Sequence, residues 1–411
     1  MMPKPPTVFW GNERVTHEAI IEGQRQATLE RIQNEGLVLL VQDTSSFDFS
    51  HHPAARGMGI LDHENCRGFL AHSTLAVSRS GVPLGLVEQQ MWVRPEEETG
   101  KRHQRHTTPF TEKESYKWVI GLPEQGALEL PRWVTVGDRE AHIYEFLDVV
   151  LEQGGDFIVR ASQGRSFTEE GDDLFAHITQ QTSQHLYSLS LKRRPDREAR
   201  LAQVELRFGS VTLKRPKRAD TQRATLTLQI VDVFEPDPPA GEEAVHWLVL
   251  TSLPTQTVEQ AQQVVTWYTY RWLIERFHYV LKSGCKLEER QLREEKRLER
   301  LLAVYSLVAW KLLWLTYLAR QTPDVSCTVS LQPSEWQALY AFIHRTQRLP
   351  TSPPTLHQAV RWIAQLGGFL GRKGDGEPGV KVLWRGWTRF QDIIDTWTIT
   401  HPSPSKDVGN A

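Results

Sequence analysis

Between residues 267 and 282 the chain reads Trp267-Tyr268-Thr269-Tyr270-Arg271-Trp272-Leu273-Ile274-Glu275-Arg276-Phe277-His278-Tyr279-Val280-Leu281-Lys282. This stretch contains no proline or glycine, and its apolar spacing predicts one amphipathic helix. At about 100° per residue, four polar side chains fall on one stripe roughly 60° wide: Tyr268, Arg271, Glu275 and Lys282. The opposite side is apolar, and we expect it to be buried. The polar stripe presents a carboxylate flanked by two cations and a phenol, a combination that suits a metal ion and a phosphate group.

A solvated surface helix is the simpler interpretation of this stripe. Arg271 and Glu275 are four residues apart, so ordinary pairing along a helix explains part of the pattern. The complete spacing, Y-x2-R-x3-E-x6-K, is more specific than one ion pair. We therefore predict that other parts of the chain supply groups that complete a site on this face.

Two predicted strands deliver an aspartate at their ends. A continuous apolar run over residues 37–42 leads to Asp43, after which Thr44-Ser45-Ser46 predicts a polar turn. The run 132–137 leads to Asp138, and residues 139–153 then predict an amphipathic helix. Turn formation or helix capping is the alternative for either aspartate alone. Together with Glu275 they make three carboxylates that can converge on Mg²⁺ or Mn²⁺, and two such ions promote phosphodiester chemistry.

Residues 156–250 alternate short strand-like runs with polar turns, which predicts an antiparallel β-rich insertion between Asp138 and Glu275. Within this insertion, residues 192–218 contain ten Lys or Arg and three Asp or Glu, a local excess of seven positive charges. Charged strand edges that resist aggregation and a phosphate-binding surface explain this excess equally well. The candidate DNA-binding residues are Lys192, Arg193, Arg194, Arg197, Arg200, Lys214, Arg215, Lys217 and Arg218.

Composition sets limits on the protein class. The 411 residues are long enough for two or three domains, and 39% hydrophobic with 24% charged residues is ordinary for a globular protein. The net charge of −2 means that nucleic-acid binding must rest on local patches. Three isolated cysteines predict neither a disulfide framework nor a zinc site. Because no signal peptide or run of 18 apolar residues occurs, we expect a cytoplasmic protein without a membrane partner.

Three motifs in this order resemble one known family. Gln42-Asp43-Thr44-Ser45-Ser46 is similar to the first-aspartate motif, and residues 137–145, Gly-Asp-Arg-Glu-Ala-His-Ile-Tyr-Glu, to the second-aspartate motif, of DDE transposases of the insertion-sequence-four group. The tyrosine, arginine, glutamate and lysine of the opening stretch match the YREK signature of that group, whose relatives include transposon-five transposase. Residues 325–398, which contain Gly-Gly-Phe-Leu-Gly-Arg-Lys at 367–373 and Leu-Trp-Arg-Gly-Trp at 383–387, look like its C-terminal dimerisation region.

The resemblance implies a mixed α/β fold, a ribonuclease H-like catalytic core with an antiparallel β-rich insertion and a helical C-terminal dimerisation region. The implied domains are a remnant of an N-terminal DNA-binding domain at 1–34, the core at 35–155 and 251–322, the insertion at 156–250, the dimerisation region at 323–398 and a disordered tail at 399–411.

By the same resemblance, Asp43, Asp138 and Glu275 are catalytic and hold two Mg²⁺ or Mn²⁺ ions. Tyr268, Arg271 and Lys282 would hold a DNA phosphate at the transposon end. The family extrudes a base from the duplex, so aromatic stacking residues are expected, and the candidates are Trp247 and Trp272. Core packing is the alternative for Trp247.

The resemblance implies a cut-and-paste transposase that acts on terminal inverted repeats and target DNA as a homodimer in a synaptic complex, in a bacterial cytoplasm at the nucleoid. Only 42 residues precede Asp43. Since family members carry a longer helical DNA-recognition domain there, the alternative is a truncated copy that dimerises and inhibits transposition without end-specific DNA binding. A ribonuclease H-like host nuclease is a third interpretation.

Overall fold

A computed structural model of the chain describes residues 7–63, 65–95, 108–123, 132–162, 173–181, 183, 185–191, 199–217 and 219–401. The chain divides into two compact units. The first comprises Met1–Glu275 with Leu292–Glu299, and the second comprises Arg276–Gln291 with Arg300–Ala411. Most of the predicted tail lies outside the described residues.

Ten strands of the described chain form one sheet in the first unit. Its order is β2-β3-β1-β5-β6-β10-β9-β8-β7, and β4 also pairs with β3. The strands are β1 (Leu37–Asp48), β2 (Gly59–Ile60), β3 (Arg67–Ser78), β4 (Pro83–Trp92), β5 (Arg132–Gly137), β6 (Asp156–Arg160), β7 (His185–Leu191), β8 (Arg200–Lys214), β9 (Thr225–Phe234) and β10 (His246–Thr251). Pairs β1–β5 and β5–β6 are parallel, and the other pairs are antiparallel.

The centre of the sheet is the core of this unit. Successive residues of β1 from Leu37 to Gln42 are buried, and Val134, Val136, Phe157 and Val159 have no exposed surface. Both faces of these strands are therefore covered, as the continuous apolar runs predicted.

The first strand is longer than the sequence suggested. Thr44-Ser45-Ser46 is not a polar turn, because β1 continues to Asp48 and pairs with β3 along its whole length. Its parallel partner β5 is shorter, and the pairing ends at Val41 opposite Val136. Asp43 therefore lies within a strand, just beyond the end of its parallel neighbour.

The N-terminal helices are α1 (Thr7–Trp10) and α2 (His17–Ile32). Thr16 is the N-cap of α2, and its side chain accepts a hydrogen bond from the Ala19 amide. Along α2, Arg25 and Arg31 donate to the carbonyls of Val87 and Leu84 on β4. These contacts cover the outer edge of the sheet.

The predicted helix at 139–153 is divided. A short 3-10 turn over Arg139–Ala141 follows Asp138, and α4 (Tyr144–Glu152) begins after it. The preceding segment 111–121 contains 3-10 turns and the short helix α3 (Lys117–Ile120), and α5 (Leu174–Thr179) lies between β6 and β7.

The opening stretch is not one continuous helix, which corrects the prediction. It comprises the end of α6 (Val258–Thr269), a tight turn at Tyr270-Arg271, α7 (Trp272–Tyr279) and a π-helical turn over Val280–Gly284. The Arg271 amide donates to the Tyr268 carbonyl three residues back. Such i→i+3 bonds tighten the backbone, and helical periodicity does not predict the change.

The second unit is helical. It contains most of α8 (Glu295–Gln321), followed by α9 (Pro333–His344), α10 (Leu356–Leu366) and α11 (Val380–Thr400). Gly386 lies within α11. There the α10 and α11 backbones touch, since a Cβ on Gly386 would lie 1.8 Å from the Ile363 carbonyl oxygen. Only glycine permits this approach.

By length and composition alone, α8 could cross a membrane. Its most apolar window is 56% buried within the protein, as expected of a core helix.

Candidate active site

The parallel register brings the two aspartates to one edge of the sheet. Val41 of β1 is paired with Val136 of β5, and each lies two residues before its aspartate. Asp43 and Asp138 therefore follow equivalent positions on adjacent strands. Neighbouring strands are roughly 4.8 Å apart, so both carboxylates belong to the same local environment.

Each aspartate uses one carboxylate oxygen in a local hydrogen bond. Oδ1 of Asp43 accepts from the Thr44 amide at 2.8 Å, and Oδ1 of Asp138 accepts from the Glu140 amide at 2.8 Å. Asp138 thus also caps the 3-10 turn that follows it.

Glu275 is connected to this edge through Arg271. The Arg271 guanidinium forms an ion pair with Glu275, and its Nη1 lies 4.0 Å from Oδ2 of Asp43. The Arg271 side chain is only 14% exposed, so the interaction is poorly screened by water. One guanidinium therefore bridges two of the three predicted carboxylates.

The electrostatics of Asp43 reflect this crowding. Burial raises the pKa of Asp43 to about 7 against the opposing charge of Arg271, with smaller contributions from the charges of Asp138 and Glu275. Although burial opposes the charge of Arg271, the neighbouring Tyr268, Glu275 and Asp43 raise its pKa. The site contains more negative charge than its single bridging arginine neutralises.

The donor chemistry of this site fits a hard divalent cation. Three carboxylates supply the oxygen ligands that Mg²⁺ and Mn²⁺ prefer, and a cation would relieve the repulsion felt by Asp43. In the part of the chain that the structure describes, these side chains are not gathered into a ready-made metal cluster. Arg271 supplies the positive charge among them instead.

Tyr268 and Trp247 lie beside one another. Their rings are 5.5 Å apart in an edge-on arrangement. Tyr268 is 4% exposed, whereas Trp247 on β10 is half-buried. The burial of Tyr268 differs from the exposed stripe that a straight helix predicts, because the tight turn after α6 redirects the chain.

Sequence reasoning missed Arg160, the last residue of β6. Gly137 and Val159 are in register, so Arg160 follows Val159 as Asp138 follows Gly137. Arg160 Nη2 donates to the His246 carbonyl at 2.9 Å, next to Trp247. The signal was present, since a cation ends the predicted run 157–160, but that run was assigned to the insertion rather than to the parallel centre of the sheet.

The surroundings of Arg160 disfavour its positive charge. Burial lowers the pKa of Arg160, the Tyr268 side chain opposes that effect, and the like charges of Arg139 and Arg271 add to it. A partly desolvated guanidinium beside two others favours binding of an anion.

The remaining predicted site residues are placed as follows. Trp272 is the half-buried first residue of α7. Lys282 lies in the π-helical turn and belongs to the second unit, so its part in the site stays a prediction.

The predicted basic surface is only partly described. Arg200 donates to the buried Glu235 at 2.8 Å and is 14% exposed, which gives it a structural partner. Lys214, Arg215 and Lys217 are exposed at the end of β8. The residues that lie outside the described chain are Lys192, Arg193, Arg194, Arg197 and Arg218.

Comparison with known protein families agrees with this geometry. The family described as "Transposase DDE domain" matches residues 127–310, and the family described as "Transposase Tn5 dimerisation domain" matches residues 307–398. The chain belongs to the DDE transposases, and it is related to the Tn5 type. The match to the DDE domain includes Asp138 and Glu275 and begins after Asp43.

The fold prediction is confirmed for this DDE transposase. A DDE domain has a ribonuclease H-like core, and the order β4-β3-β1-β5-β6 with α4 and α6 supplies its mixed sheet and helices. The C-terminal region is helical, as predicted. DDE transposase domains generally use divalent metal ions and act on DNA, and the dimerisation domain indicates a homodimer.

Proposed function

We propose that this DDE transposase works by cut-and-paste chemistry on an insertion sequence. It cleaves DNA at the ends of the element, forms a hairpin on the element's DNA and transfers the strands to a target. The observation that carries the proposal is the common edge of β1, β5 and β6. There Asp43, Asp138 and Arg160 follow in-register positions, and Arg271 connects Glu275 to them.

Asp43, Asp138 and Glu275 would hold Mg²⁺ or Mn²⁺. When bound, two such ions supply Lewis acidity toward the attacking and the leaving oxygen of a phosphodiester. The half-buried Asp43 sets the position of this centre, because β1 is hydrogen-bonded on both sides up to Val41 and on one side beyond it.

The phosphate contacts would come from cations around the carboxylates. If Glu275 binds a metal ion, its ion pair with Arg271 is released. Arg271 can then present two parallel N–H donors to a phosphate. Lys282 would act as a point charge and Tyr268 as a hydroxyl donor. Arg160 extends the same cationic group on the side of Trp247.

Each chemical step exchanges one oxygen on phosphorus for another. In the first step a water oxygen bonds to phosphorus, the bond to the 3′ oxygen breaks, and a free 3′ hydroxyl results. That hydroxyl then attacks the opposite strand to close the hairpin, and after the hairpin is opened by water it attacks target DNA. Arg160 and Arg271 would hold the phosphate in line for each attack.

Base extrusion would use Trp247 and Trp272. The half-buried Trp247 leaves part of its ring accessible beside Tyr268, as a stacking surface requires. The DNA partners are terminal inverted repeats and a target duplex, held by a homodimer at the bacterial nucleoid in the cytoplasm.

Cleavage of the element's own ends tests the proposal. We expect the purified chain to cut a duplex that carries its terminal repeat only when Mg²⁺ or Mn²⁺ is added. Glu275→Gln should remove cutting, whereas Glu259→Gln, an exposed glutamate on the adjoining α6, should cut normally. Equal cutting by both variants would refute the role of Glu275.

The inhibitor alternative is supported by the dimerisation-domain match at 307–398. On that proposal the chain forms mixed dimers with a longer relative and lowers transposition in proportion to its dose. Metal-dependent cutting by the chain alone would reject it, whereas dose-dependent inhibition that disappears when residues 325–411 are deleted would favour it.

A further inference from the structure

The loop that joins β8 to β9 is attached to α4 through one buried carboxylate. Asp148, in the middle of α4, is 2% exposed. Its Oδ1 accepts from Arg223 Nη1 at 2.7 Å, and its Oδ2 accepts from the Thr221 hydroxyl. Both partners belong to the loop, which we call the hairpin tip (residues 215–217 and 219–224 of the described chain).

A second contact from the same face of α4 strengthens the attachment. Tyr144, one helical turn before Asp148, donates its hydroxyl hydrogen to the Arg223 carbonyl at 3.1 Å. Within the hairpin tip, Arg215 Nη1 donates to the Thr221 carbonyl at 2.6 Å, and the Arg215 amide donates to the Ala224 carbonyl at 2.9 Å. The tip is therefore closed on itself and fixed to the helix.

The energetic cost of burying Asp148 indicates that the attachment has a functional role. Aspartate is a poor residue for a helix interior, and a buried carboxylate is destabilising unless it is paired. Asp148 finds its partners in a loop far along the chain rather than in its own helix.

The basic residues of this region then divide into two groups. Arg215 and Arg223 are used in internal hydrogen bonds, whereas Lys214 and Lys217 are exposed beside them. Exposed lysines on a fixed support can contact DNA phosphates without a large loss of loop entropy on binding.

We propose that Asp148, with Tyr144, is a positioning residue that holds the hairpin tip so that Lys214 and Lys217 contact DNA phosphates. This inference rests on the proposed DNA-transposing function for its DNA partner. The attachment itself depends only on the chain.

Trypsin tests the attachment without DNA. Arg223→Gln removes the partner of Asp148 from the tip side, where Arg223 is 41% exposed, so the core of the protein is untouched. We expect cleavage after Lys214 or Lys217 to become roughly tenfold faster or more, since a buried carboxylate loses its cation. Arg223→Lys should stay close to the wild type, and the control Glu152→Gln, an exposed carboxylate on the same helix, should change nothing.

DNA binding tests the positioning. Affinity for one duplex is measured over a range of salt concentrations. Lysine-to-glutamine changes at 214 and 217 in the wild-type chain should reduce the slope of log affinity against log salt by roughly one to two units. In the Arg223→Gln variant, the same two lysine changes should reduce this slope much less, because the hairpin tip no longer holds the lysines in place.

The outcomes separate the two proposals. Unchanged trypsin cleavage in Arg223→Gln would overturn the attachment, and equal lysine effects in both backgrounds would overturn the positioning. A wild-type chain that binds no DNA would overturn the proposed function and the lysine contacts, while faster cleavage in Arg223→Gln would still support the attachment.

Discussion

Asp43 and Asp138 follow in-register residues of two parallel strands, Val41 and Val136, and so reach one edge of the sheet although 95 positions separate them in sequence. Their closeness is a property of backbone pairing and does not depend on the orientation of a flexible loop. The third carboxylate, Glu275, is tied to the same edge by the Arg271 guanidinium. Burial is the largest cause of the raised pKa of Asp43, and the neighbouring charges of Asp138 and Glu275 add to it.

The first prediction concerns the stability of the metal-free protein. Because burial and neighbouring carboxylates raise the pKa of Asp43 from 3.8 to about 7, the folded state resists ionisation that the unfolded chain accepts. This group therefore reduces stability as pH rises from about 4 to 7, and the full cost, up to about 4 kcal/mol, is present above pH 7. Asp43→Asn should unfold at higher urea than the wild type at pH 8 in a chelator, with little difference at pH 4.

The matched control is Asp237→Asn, which changes an exposed carboxylate. Addition of Mn²⁺ at pH 8 should raise the unfolding midpoint of the wild type more than that of Asp43→Asn. If Asp43→Asn were no more stable than Asp237→Asn at pH 8, the crowding at Asp43 would be disproved.

The second prediction concerns Arg160. Arg160→Gln should weaken DNA binding about tenfold and make its salt dependence shallower by about one unit, because one phosphate contact is lost. Arg160→Lys should keep the salt dependence but bind more weakly, since the ammonium group cannot form a bidentate contact. The measurement is duplex binding over a range of salt concentrations.

Arg132→Gln is the control, since Arg132 is on the adjacent strand β5 and pairs with Asp156 at 2.8 Å. An effect of Arg132→Gln as large as that of Arg160→Gln would mean that the loss reflects general charge rather than a phosphate contact.

The third prediction concerns His278 in the second unit. Burial lowers the pKa of His278 from 6.5 to about 3, and the charge of Lys282 adds to the effect. The unfolded chain takes up a proton below about pH 6.5 that the folded chain refuses, so stability falls as pH decreases from 6.5 toward 3. At pH 5 the loss should reach about 2 kcal/mol.

His278→Gln should remove this part of the pH dependence, as measured by urea unfolding between pH 7.5 and 5. Other groups, including the buried His17, contribute equally to both proteins. An identical decline in the variant and the wild type would show that His278 is protonated without cost in the fold.

The fourth prediction concerns the contact between α10 and α11. Gly386→Ala would place a methyl group against the Ile363 carbonyl, so the helices must separate and the second unit should lose about 2 kcal/mol or more. Gly374→Ala, at a position with open space, should stay within roughly 0.5 kcal/mol of the wild type. Thermal unfolding of the two variants decides between them, and equal midpoints would contradict the close packing.

Much of this architecture follows from the sequence because its elements have strong local signals. The apolar runs before Asp43 and Asp138 form buried strands, as their residue pattern predicts. The Thr16 cap also follows from local chemistry. Such features depend on neighbouring residues, which a sequence displays directly.

The errors occur where distant contacts decide the local structure. β1 continues through Thr44-Ser45-Ser46 because these residues pair with β3. A polar sequence does not predict this pairing. The break at Tyr270-Arg271 allows Tyr268 to pack against Trp247. Position 386 within α11 is a glycine because the Ile363 carbonyl of α10 leaves no space for a side chain.

The candidate site was predictable only in part for the same reason. The residue types and their order indicated three carboxylates and a cation, but the strand register identifies Arg160 as a further member. Its position depends on the parallel pairing of β5 with β6, and the pattern of residues 156–250 suggested only antiparallel strands.

The most direct test is cleavage of the protein by iron bound in place of magnesium. With Fe²⁺, ascorbate and peroxide, hydroxyl radicals cut the backbone near a bound ion, and the fragments identify its surroundings. We predict cuts near Asp43, Asp138 and Glu275 together. Excess Mg²⁺ should suppress these cuts, and the Asp138→Asn variant should show none of them. Cuts near one of these residues alone, or a pattern that Asp138→Asn leaves unchanged, would contradict a shared metal centre.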